Sequence, residues 1–372
     1  MQIKVLEICA KLNIGGAQLV AANIAKFAPP EFQITYLVYG DEIGEYEADV
    51  VSAGHRVIHM ESPRGNTAGY LRSLIRLMRQ EQFDAVHCHT MYSSGIAMLA
   101  AKIARVPGRI SHSHTAKDDS GSSFSRNVYR KAMRVLMRLC GTDYLACGED
   151  AGRELYGGRW FDRHGRVIKN GIDIPLFRYD PVARQAIRAE LHLNDKYVIG
   201  HVGHYVPVKN QSYLISLLPD LLKQRPDAVL LMFGDGEDRK KLQNTIEAAH
   251  LQDQARLMGN VRNVNRVLSA LDVFAFPSLF EGTPLALIEA QANGLPCIIS
   301  DHIPNDACLT ELITRLPLEN SEQWIQSLAS AARDPKTDWC AVLESRYETV
   351  ERSMNDLYQL FSQYHNIRRK TL

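Results

Sequence analysis

The stretch that most constrains the fold is residues 274–301, which read FAFPSLFEGTPLALIEAQANGLPCIISD. Its apolar start predicts a buried strand, which the first proline ends. After a short loop, Thr283 is predicted to cap a helix and Pro284 to occupy its first turn, where a missing N–H is harmless. Gly294 then ends the helix, and a second apolar run resumes as a strand. The stretch therefore predicts a strand–loop–helix–strand unit with its ligand end at the loop.

Two carboxylates stand beside that loop. Glu281 lies within it, and Glu289 interrupts an otherwise apolar helix. Burying a carboxylate without a partner is costly, so each is expected to have one, and sugar or ribose hydroxyls are suitable donors. The free N–H groups that follow Gly282, together with the helix dipole, predict an anion site that suits phosphate.

The pattern S-x-x-E-G-x-P…E-A…G-x-P, with two glutamates eight positions apart, resembles the retaining glycosyltransferases of group 1. Within that family the chain looks nearest to members that build exopolysaccharide and capsule. The resemblance implies that Glu289 holds the nucleotide ribose and that Glu281 faces the donor sugar. It also implies a diphosphate contact along Gly282, Thr283, Pro284 and Leu285.

The family fold has two Rossmann-like α/β domains that face a cleft (GT-B), with a C-terminal helix that crosses back to the first domain. Length agrees, because 372 residues suggest about two domains. Each half also opens with a strand, a glycine-containing loop and a helix. We predict an N-terminal acceptor domain over 1–175, a nucleotide-sugar domain over 176–346, and a returning helix over 347–372.

In the first half, Gly15 and Gly16 follow the first strand, where they allow a ligand to approach the backbone closely or simply form a tight turn. The resemblance places them beside the donor phosphates and acceptor. Histidine pairs end two later strands, in HCH at 87–89 and in SHSH at 111–114. The family has one histidine at the second place; His114 is the first choice and His112 the alternative.

In the second half, Lys209 precedes a helix that Asn210 is expected to cap, so its charge could neutralise a diphosphate. Family members have an arginine at the position that His204 occupies here. Because histidine is not always charged, the amount of positive charge at this site is left undecided. The resemblance also places Val261 in the segment that contacts the nucleotide base.

Asp235-Gly236-Glu237 could be a metal-binding acidic motif. The flanking glycines favour a turn instead.

Four arginines recur every four residues from Arg126 to Arg138, which predicts a helix with a basic stripe. Val128, Ala132, Val135, Leu136 and Leu139 could form its apolar side. The stripe is either a solvated face or a surface for anionic membrane lipids and a diphosphate-linked lipid acceptor.

Composition narrows the remaining classes. A net charge of +1, with no aromatic-basic platform, argues against nucleic acid as a partner. Seven cysteines without a C-x-x-C pair indicate reduced thiols and no zinc site. Adjacency of His87, Cys88 and His89 on one strand also indicates poor geometry for a single metal ion. The start of the chain lacks a signal-peptide pattern, so a cytoplasmic protein, peripheral on the membrane, is expected.

The sequence therefore predicts a metal-independent, retaining glycosyltransferase without a cofactor. Its donor would be a UDP-linked sugar, and its acceptor a growing, lipid-linked surface glycan. The resemblance implies that the donor's own leaving phosphate acts as the base. Two alternatives remain: a nucleotide-sugar 2-epimerase on the same fold, and a non-catalytic scaffold that binds sugar nucleotides.

Overall fold

The computed structural model describes residues 2–114, 123–334 and 337–371. The chain divides into two compact units. Unit 1 comprises Met1–Gly171 and Val350–Leu372, and unit 2 comprises Ile172–Thr349.

Unit 1 is built on a parallel sheet of seven strands in the order β3-β2-β1-β4-β5-β6-β7. The strands are β1 (Ile3–Ile8), β2 (Phe32–Tyr39), β3 (Arg56–Met60), β4 (Ala85–Cys88), β5 (Gly108–Ser113), β6 (Asp143–Ala146) and β7 (Gly165–Val167). Its helices are α1 (Gly16–Lys26), α2 (Glu47–Ser52), α3 (Thr67–Glu81), α4 (Ser94–Ile103), α5 (Phe124–Cys140), α6 (Glu149–Tyr156) and α7 (Gly158–His164). Separate apolar clusters cover the two faces of the sheet, as expected for parallel strands that are buried on both sides.

Unit 2 repeats the arrangement with six parallel strands in the order β10-β9-β8-β11-β12-β13. They are β8 (Tyr197–Val202), β9 (Ala228–Phe233), β10 (Ala255–Gly259), β11 (Val273–Phe276), β12 (Cys297–Ser300) and β13 (Ile313–Leu316). The helices are α8 (Pro181–Glu190), α9 (Gln211–Gln224), α10 (Arg239–Ala248), α11 (Val264–Ala270), α12 (Leu285–Ala292), α13 (Ser321–Ser330) and α14 (Trp339–Glu344). Both sheets reverse their strand order beside their first strand, and in open α/β sheets ligands bind at that point.

The last helix, α15 (Val350–Thr371), returns to unit 1, which confirms the predicted crossing. Phe361 is fully buried in the apolar cluster that covers one face of the sheet and includes Ile3 and Val5 of β1. The Tyr358 hydroxyl donates to the Ile24 carbonyl of α1 at 2.7 Å. Apolar spacing along the helix therefore identified its packed side correctly. No helix within residues 2–114, 123–334 and 337–371 has both the length and the apolar character required to cross a bilayer.

The predicted caps of two helices are wrong. The N-cap position of α12 is Pro284, so the helix begins at Leu285 and Thr283 lies outside it. Pro284 has φ −78° and ψ 78°, which is not helical, so the first helical residue is one position later than predicted. Asn210 occupies the N-cap position of α9 in a left-handed conformation, with φ 55°. Its side chain donates to the Pro277 carbonyl at 3.3 Å instead of capping the helix.

Helix α5 forms as predicted. Two of its basic side chains, however, contact α6, and its predicted apolar side chains are largely exposed. Arg134 donates to the Leu155 carbonyl at 2.9 Å, and Arg138 donates to the Tyr156 carbonyl at 3.2 Å. The last carbonyls of α6 have no partner within their own helix, so they attract these guanidinium groups. The predicted apolar side is largely exposed instead of packed. Its exposed members are Val128, Val135 and Leu139, and Phe124 continues the same face.

Candidate functional site

In unit 2 the predicted residues gather where the strand order reverses, between β8 and β11. The loop after β8 ends in a short 3-10 turn, Pro207–Lys209, and the loop after β11 leads to α12. The two loops are joined directly, because the Leu279 N–H donates to the Val208 carbonyl at 2.8 Å. The register of the two strands therefore fixes the position of Lys209 relative to the glutamate motif.

Lys209 and Glu281 form a bidentate ion pair. The Lys209 Nζ lies 2.6 Å from Oε1 and 2.9 Å from Oε2 of Glu281. The same ammonium lies 5.2 Å from the centre of the Phe276 ring, and both charged side chains are largely removed from solvent. An ion pair so shielded is screened less than a surface pair. The two residues thus act as one electrostatic unit in this structure.

Glu289 presents the opposite situation. Its residue is 6% exposed, and within the described part of the chain its carboxylate has no hydrogen-bond or ion-pair partner. Burial alone raises the pKa of Glu289 to about 7. A group held in this way is expensive to ionise, and donors that reach it would relieve that cost.

The start of α12 offers fewer amides than the sequence predicts. Pro284 has no N–H, and the Leu285 N–H donates to the Thr283 carbonyl at 2.9 Å. Gly282 and Thr283 keep their N–H groups in the turn that precedes the helix, and Thr283 is partly and Gly282 more fully open to solvent along this turn. An anion would therefore meet these two amides and the positive end of the helix dipole.

His204 is exposed on the loop after β8, with its Nδ1 3.3 Å from the Asp235 carbonyl. The sequence reasoning missed the pair of residues that holds this loop. His201 is fully buried in β8, and its Nε2 lies 3.2 Å from the Gln211 amide nitrogen, which also donates to the His204 carbonyl at 2.8 Å. Burial lowers the pKa of His201 to about 4, so it acts here as a neutral acceptor.

The structure supports the turn interpretation of Asp235 and Glu237. A side chain at Gly234 would lie 2.0 Å from the Gly203 carbonyl oxygen, and one at Gly236 would lie 2.4 Å from that of Tyr205. These glycines are therefore required where the loops after β8 and β9 pack together. Val261, the predicted base contact, follows β10 and is partly buried against the core of unit 2.

In unit 1, Gly15 and Gly16 lie where the sequence placed them, at the start of α1. Gly15 is the N-cap residue, and Gly16 is the first residue of the helix. The first turn of α1 contains no acidic residue, although the Glu45 carboxylate accepts from the Ile14 N–H at 3.2 Å, just before the helix.

The predicted histidines of unit 1 join a network that the sequence did not reveal. We call this set the histidine cluster, and it comprises Glu7, His87, His89, His112 and His114. Glu7 lies 3.1 Å from His87 Nδ1 and 2.8 Å from His89 Nε2. His87 Nε2 lies 3.1 Å from His112 Nδ1, and His89 Nδ1 lies 2.8 Å from His114 Nε2.

Burial dominates the protonation of the cluster. It lowers the pKa of His112 and of His114 well below the usual range, and the neighbouring imidazoles lower both further. For Glu7, burial raises the pKa, but attraction and hydrogen bonds from His87 and His89 outweigh it and lower the pKa. The cluster therefore combines a carboxylate that favours ionisation with three imidazoles, those of His89, His112 and His114, whose lowered pKa values favour the neutral form.

Adjacency along the chain does not decide how close the ring nitrogens of HCH lie to one another. His87 and His89 lie two residues apart, so their side chains share one face of the sheet, and β5 brings His112 beside them. One ring nitrogen of each of His87, His89 and His112 lies within 4.8 Å of the others. A charged residue in the apolar run of β1 was the signal that could have revealed the network, because buried Glu7 requires partners.

Comparisons with known proteins agree with this architecture. Residues 14–176 match the family described as Glycosyltransferase Family 4, and residues 183–341 match Glycosyl transferases group 1. The structure of HepE from Anabaena, in complex with UDP and glucose, superposes with a TM-score of 0.77 at 20% identity. That superposition covers 97% of this chain and 100% of HepE, and it shows the shared fold.

Three bacterial relatives are similar in sequence. A Bacillus subtilis (strain 168) protein named as a glycosyltransferase, EpsF, is 33% identical over 89% of this chain and 88% of its own length. The Escherichia coli UDP-Gal:alpha-D-GlcNAc-diphosphoundecaprenol alpha-1,3-galactosyltransferase is 30% identical over 65% of this chain and 63% of its own. The Staphylococcus aureus capsular polysaccharide biosynthesis glycosyltransferase CapH is 26% identical over 80% of each. These matches confirm the resemblance, and the chain belongs to the group 1 glycosyltransferases with the GT-B fold.

Proposed function

We propose that this glycosyltransferase moves a sugar from a UDP-linked donor to a growing, lipid-linked surface glycan, with retention at the anomeric carbon. The observation that carries the proposal is the contrast between two motif carboxylates at the switch point of unit 2. Glu281 is neutralised by Lys209, whereas Glu289 is buried without a partner among the described residues. A site in this state has one cation to offer an anionic ligand and one carboxylate to offer hydroxyl groups.

Glu289 is proposed to bind the two ribose hydroxyls of the nucleotide. Hydroxyl donors stabilise an ionised carboxylate, so the bound nucleotide would lower the pKa that burial raises to about 7. A hydrogen bond to a charged group is worth ~1.5–3 kcal/mol, enough to offset a large part of the burial cost. Ribose binding would thus supply the hydrogen-bond donors that the Glu289 carboxylate lacks in the free protein.

Lys209 and Glu281 are proposed to separate their roles when the donor binds. The diphosphate would take the Lys209 ammonium, and the Glu281 carboxylate would then accept hydrogen bonds from the donor sugar. His204 occupies the position of the family arginine, and the Gly282 and Thr283 amides add two donors. Together these groups would stabilise the departing diphosphate, whose own oxygen receives the acceptor proton on the same face.

The identities of donor and acceptor rest on the relatives. HepE was solved with UDP and glucose, and the Escherichia coli relative is named for a UDP-linked sugar and a diphosphoundecaprenol-linked acceptor. CapH is named for capsular polysaccharide biosynthesis. These names favour UDP over other nucleotides and an acceptor that is anchored in a membrane.

A membrane-anchored acceptor makes the exposed face of α5 relevant. Phe124, Val128, Val135 and Leu139 lie on one side of the helix and are between 50% and 86% exposed. Exposed Lys131 lies beside that face. An amphipathic helix of this kind binds the interface of an anionic bilayer through its apolar side chains. The contact would therefore depend on these apolar residues more than on Arg134 and Arg138, which donate to α6.

The donor assignment predicts that UDP stabilises the chain more than GDP or ADP does at equal concentration. Glu289→Gln should weaken UDP binding by about 10- to 100-fold, because it removes a charged acceptor. Glu281→Gln should bind UDP at least as tightly as the parent, because Lys209 loses its competing carboxylate, yet transfer sugar about 100-fold more slowly. Isothermal titration and a transfer assay measure both effects. Preference for GDP, unchanged UDP binding by Glu289→Gln, or donor consumption without an acceptor would contradict the proposal.

Glu289 should also make the stability of the free protein depend on pH. In the unfolded chain this carboxyl ionises near its ordinary value of 4.5, whereas burial raises its pKa in the folded protein to about 7. Burial of Glu289 therefore costs more stability as the pH rises between these two values. Relative to the parent, Glu289→Gln should gain about 2–3 kcal/mol in free energy of unfolding between pH 5 and pH 8. Tryptophan fluorescence follows the unfolding, because two of the three tryptophans, Trp324 and Trp339, are buried in unit 2.

Exposed Glu247 of α10 supplies the matched control, since Glu247→Gln removes a carboxylate without changing a buried charge. Its stability should follow the parent at every pH. Parallel pH profiles for the parent and Glu289→Gln would show that Glu289 is not held in an unfavourable environment.

The membrane assignment predicts binding to phosphatidylglycerol vesicles and little binding to phosphatidylcholine vesicles. The double variant Phe124→Ser, Leu139→Ser should weaken binding at least about tenfold, because each anchoring side chain contributes ~1.5–3 kcal/mol when fully buried. Ile43→Ser, at another exposed apolar residue of unit 1, is the control and should bind as the parent does. Vesicle co-sedimentation provides the measurement. Equal binding by the parent and the double variant would exclude this face.

A further inference from the structure

The histidine cluster lies at the switch point of unit 1, where the ends of β1, β4 and β5 meet. The family resemblance assigns one histidine of this set to the transfer reaction, His114 or its alternative His112. Glu7, His87 and His112 are each no more than 1% exposed, so they belong to the protein interior and not to its surface. Four imidazoles around one buried carboxylate form an unusual and costly arrangement that needs its own explanation.

Two nitrogen separations in the cluster are close to those at a coordinated metal ion. Tetrahedral ligands bound at 2.0–2.1 Å have nitrogens about 3.3 Å apart. His87 Nε2 and His112 Nδ1 are 3.1 Å apart, and His89 Nδ1 and His114 Nε2 are 2.8 Å apart. The three nitrogens contributed by His87, His89 and His112 all lie within 4.8 Å of one another. Ring rotations that shorten the longer separations to about 3.3 Å would place the three nitrogens around one ion.

Glu7 orients two of these rings in the manner of an outer carboxylate at a metal centre. An ionised carboxylate only accepts hydrogen bonds, so His87 Nδ1 and His89 Nε2 donate to it. In neutral imidazoles the opposite nitrogens then carry lone pairs that face His112 and His114. Carboxylate–histidine–metal triads have this arrangement, in which the carboxylate fixes the tautomer and the ring orientation.

Charge and unsatisfied polarity point the same way. Within residues 2–114, 123–334 and 337–371, Glu7 forms no ion pair with lysine or arginine, and only histidines contact its oxygens. The buried Nε2 of His112 has no hydrogen-bond partner in those residues. A cation inside the cluster would balance the charge of the Glu7 carboxylate. Rotation of the His112 ring would allow one of its nitrogens to bind that cation.

We propose that the histidine cluster binds one divalent transition-metal ion of the zinc class, with His87, His89 and His112 as ligands and Glu7 as their outer carboxylate. His114 stands beside the fourth position. Imidazole ligands suit zinc and its neighbours better than magnesium or calcium. The ion would fasten the ends of β1, β4 and β5 to one another. This role is structural and is independent of the transfer reaction proposed for unit 2.

The test uses the full chain without a histidine tag, dialysed against a chelator and then against metal-free buffer. Titration with Co²⁺ should give the visible absorption of a tetrahedral site, saturating at one ion per chain, and Zn²⁺ should displace it. Zn²⁺ should also raise the unfolding temperature of the chelated protein. Glu7→Gln should weaken metal affinity by about 10- to 100-fold. His112→Asn should abolish the visible band.

His59→Gln is the matched control, because His59 also lies in unit 1 and pairs with a glutamate, Glu47, at 3.0 Å. It should bind cobalt as the parent does. Absence of a saturable visible band in the parent would overturn the proposal even if the cluster variants fail to fold. A band that survives in folded His112→Asn would also overturn it.

Discussion

Buried carboxylates at strand ends and in their connections organise this molecule, because each must find a cation or a set of donors. Asp272, just before β11, accepts from Arg184 at 2.5 Å, Arg188 at 3.1 Å and the Val198 N–H at 2.7 Å. Glu7 collects two histidines, and Glu281 takes Lys209. Glu289 has no such partner among the described residues. Three of these carboxylates are therefore satisfied by the protein itself, and the fourth is available to a ligand.

The two units share a sheet topology but carry different polar residues at the point where the strand order reverses. Each sheet reverses its strand order beside its first strand, and each carries polar groups there. In unit 2 the groups are a cation, two carboxylates and exposed amides on loops, a combination that suits a nucleotide diphosphate. In unit 1 they are imidazoles locked to a carboxylate inside the sheet. The fold supplies the position of a site, while the residues at strand ends decide its chemistry.

Much of this could be predicted from the sequence because the strongest signals are local. The apolar runs at β11 and β12 and the glycine after α12 place the glutamate motif within one βαβ unit. Thr283 is not the cap because Pro284 adopts a non-helical conformation and occupies the N-cap position itself. The basic spacing along α5 was correct, yet spacing could not show that α6 presents carbonyls to Arg134 and Arg138. The histidine cluster depends on the register of β4 against β5, which no local pattern contains.

The central claim is that Glu289 is protonated in part when the site is empty and ionised when ribose occupies it. Titration calorimetry of UDP at pH 7, repeated in buffers with different ionisation enthalpies, counts the protons exchanged on binding. With a pKa of about 7 in the free protein, the parent should release about half a proton per UDP bound. Glu289→Gln should release clearly less, because only the ligand's own titration remains. Equal proton release by the two proteins would contradict the account.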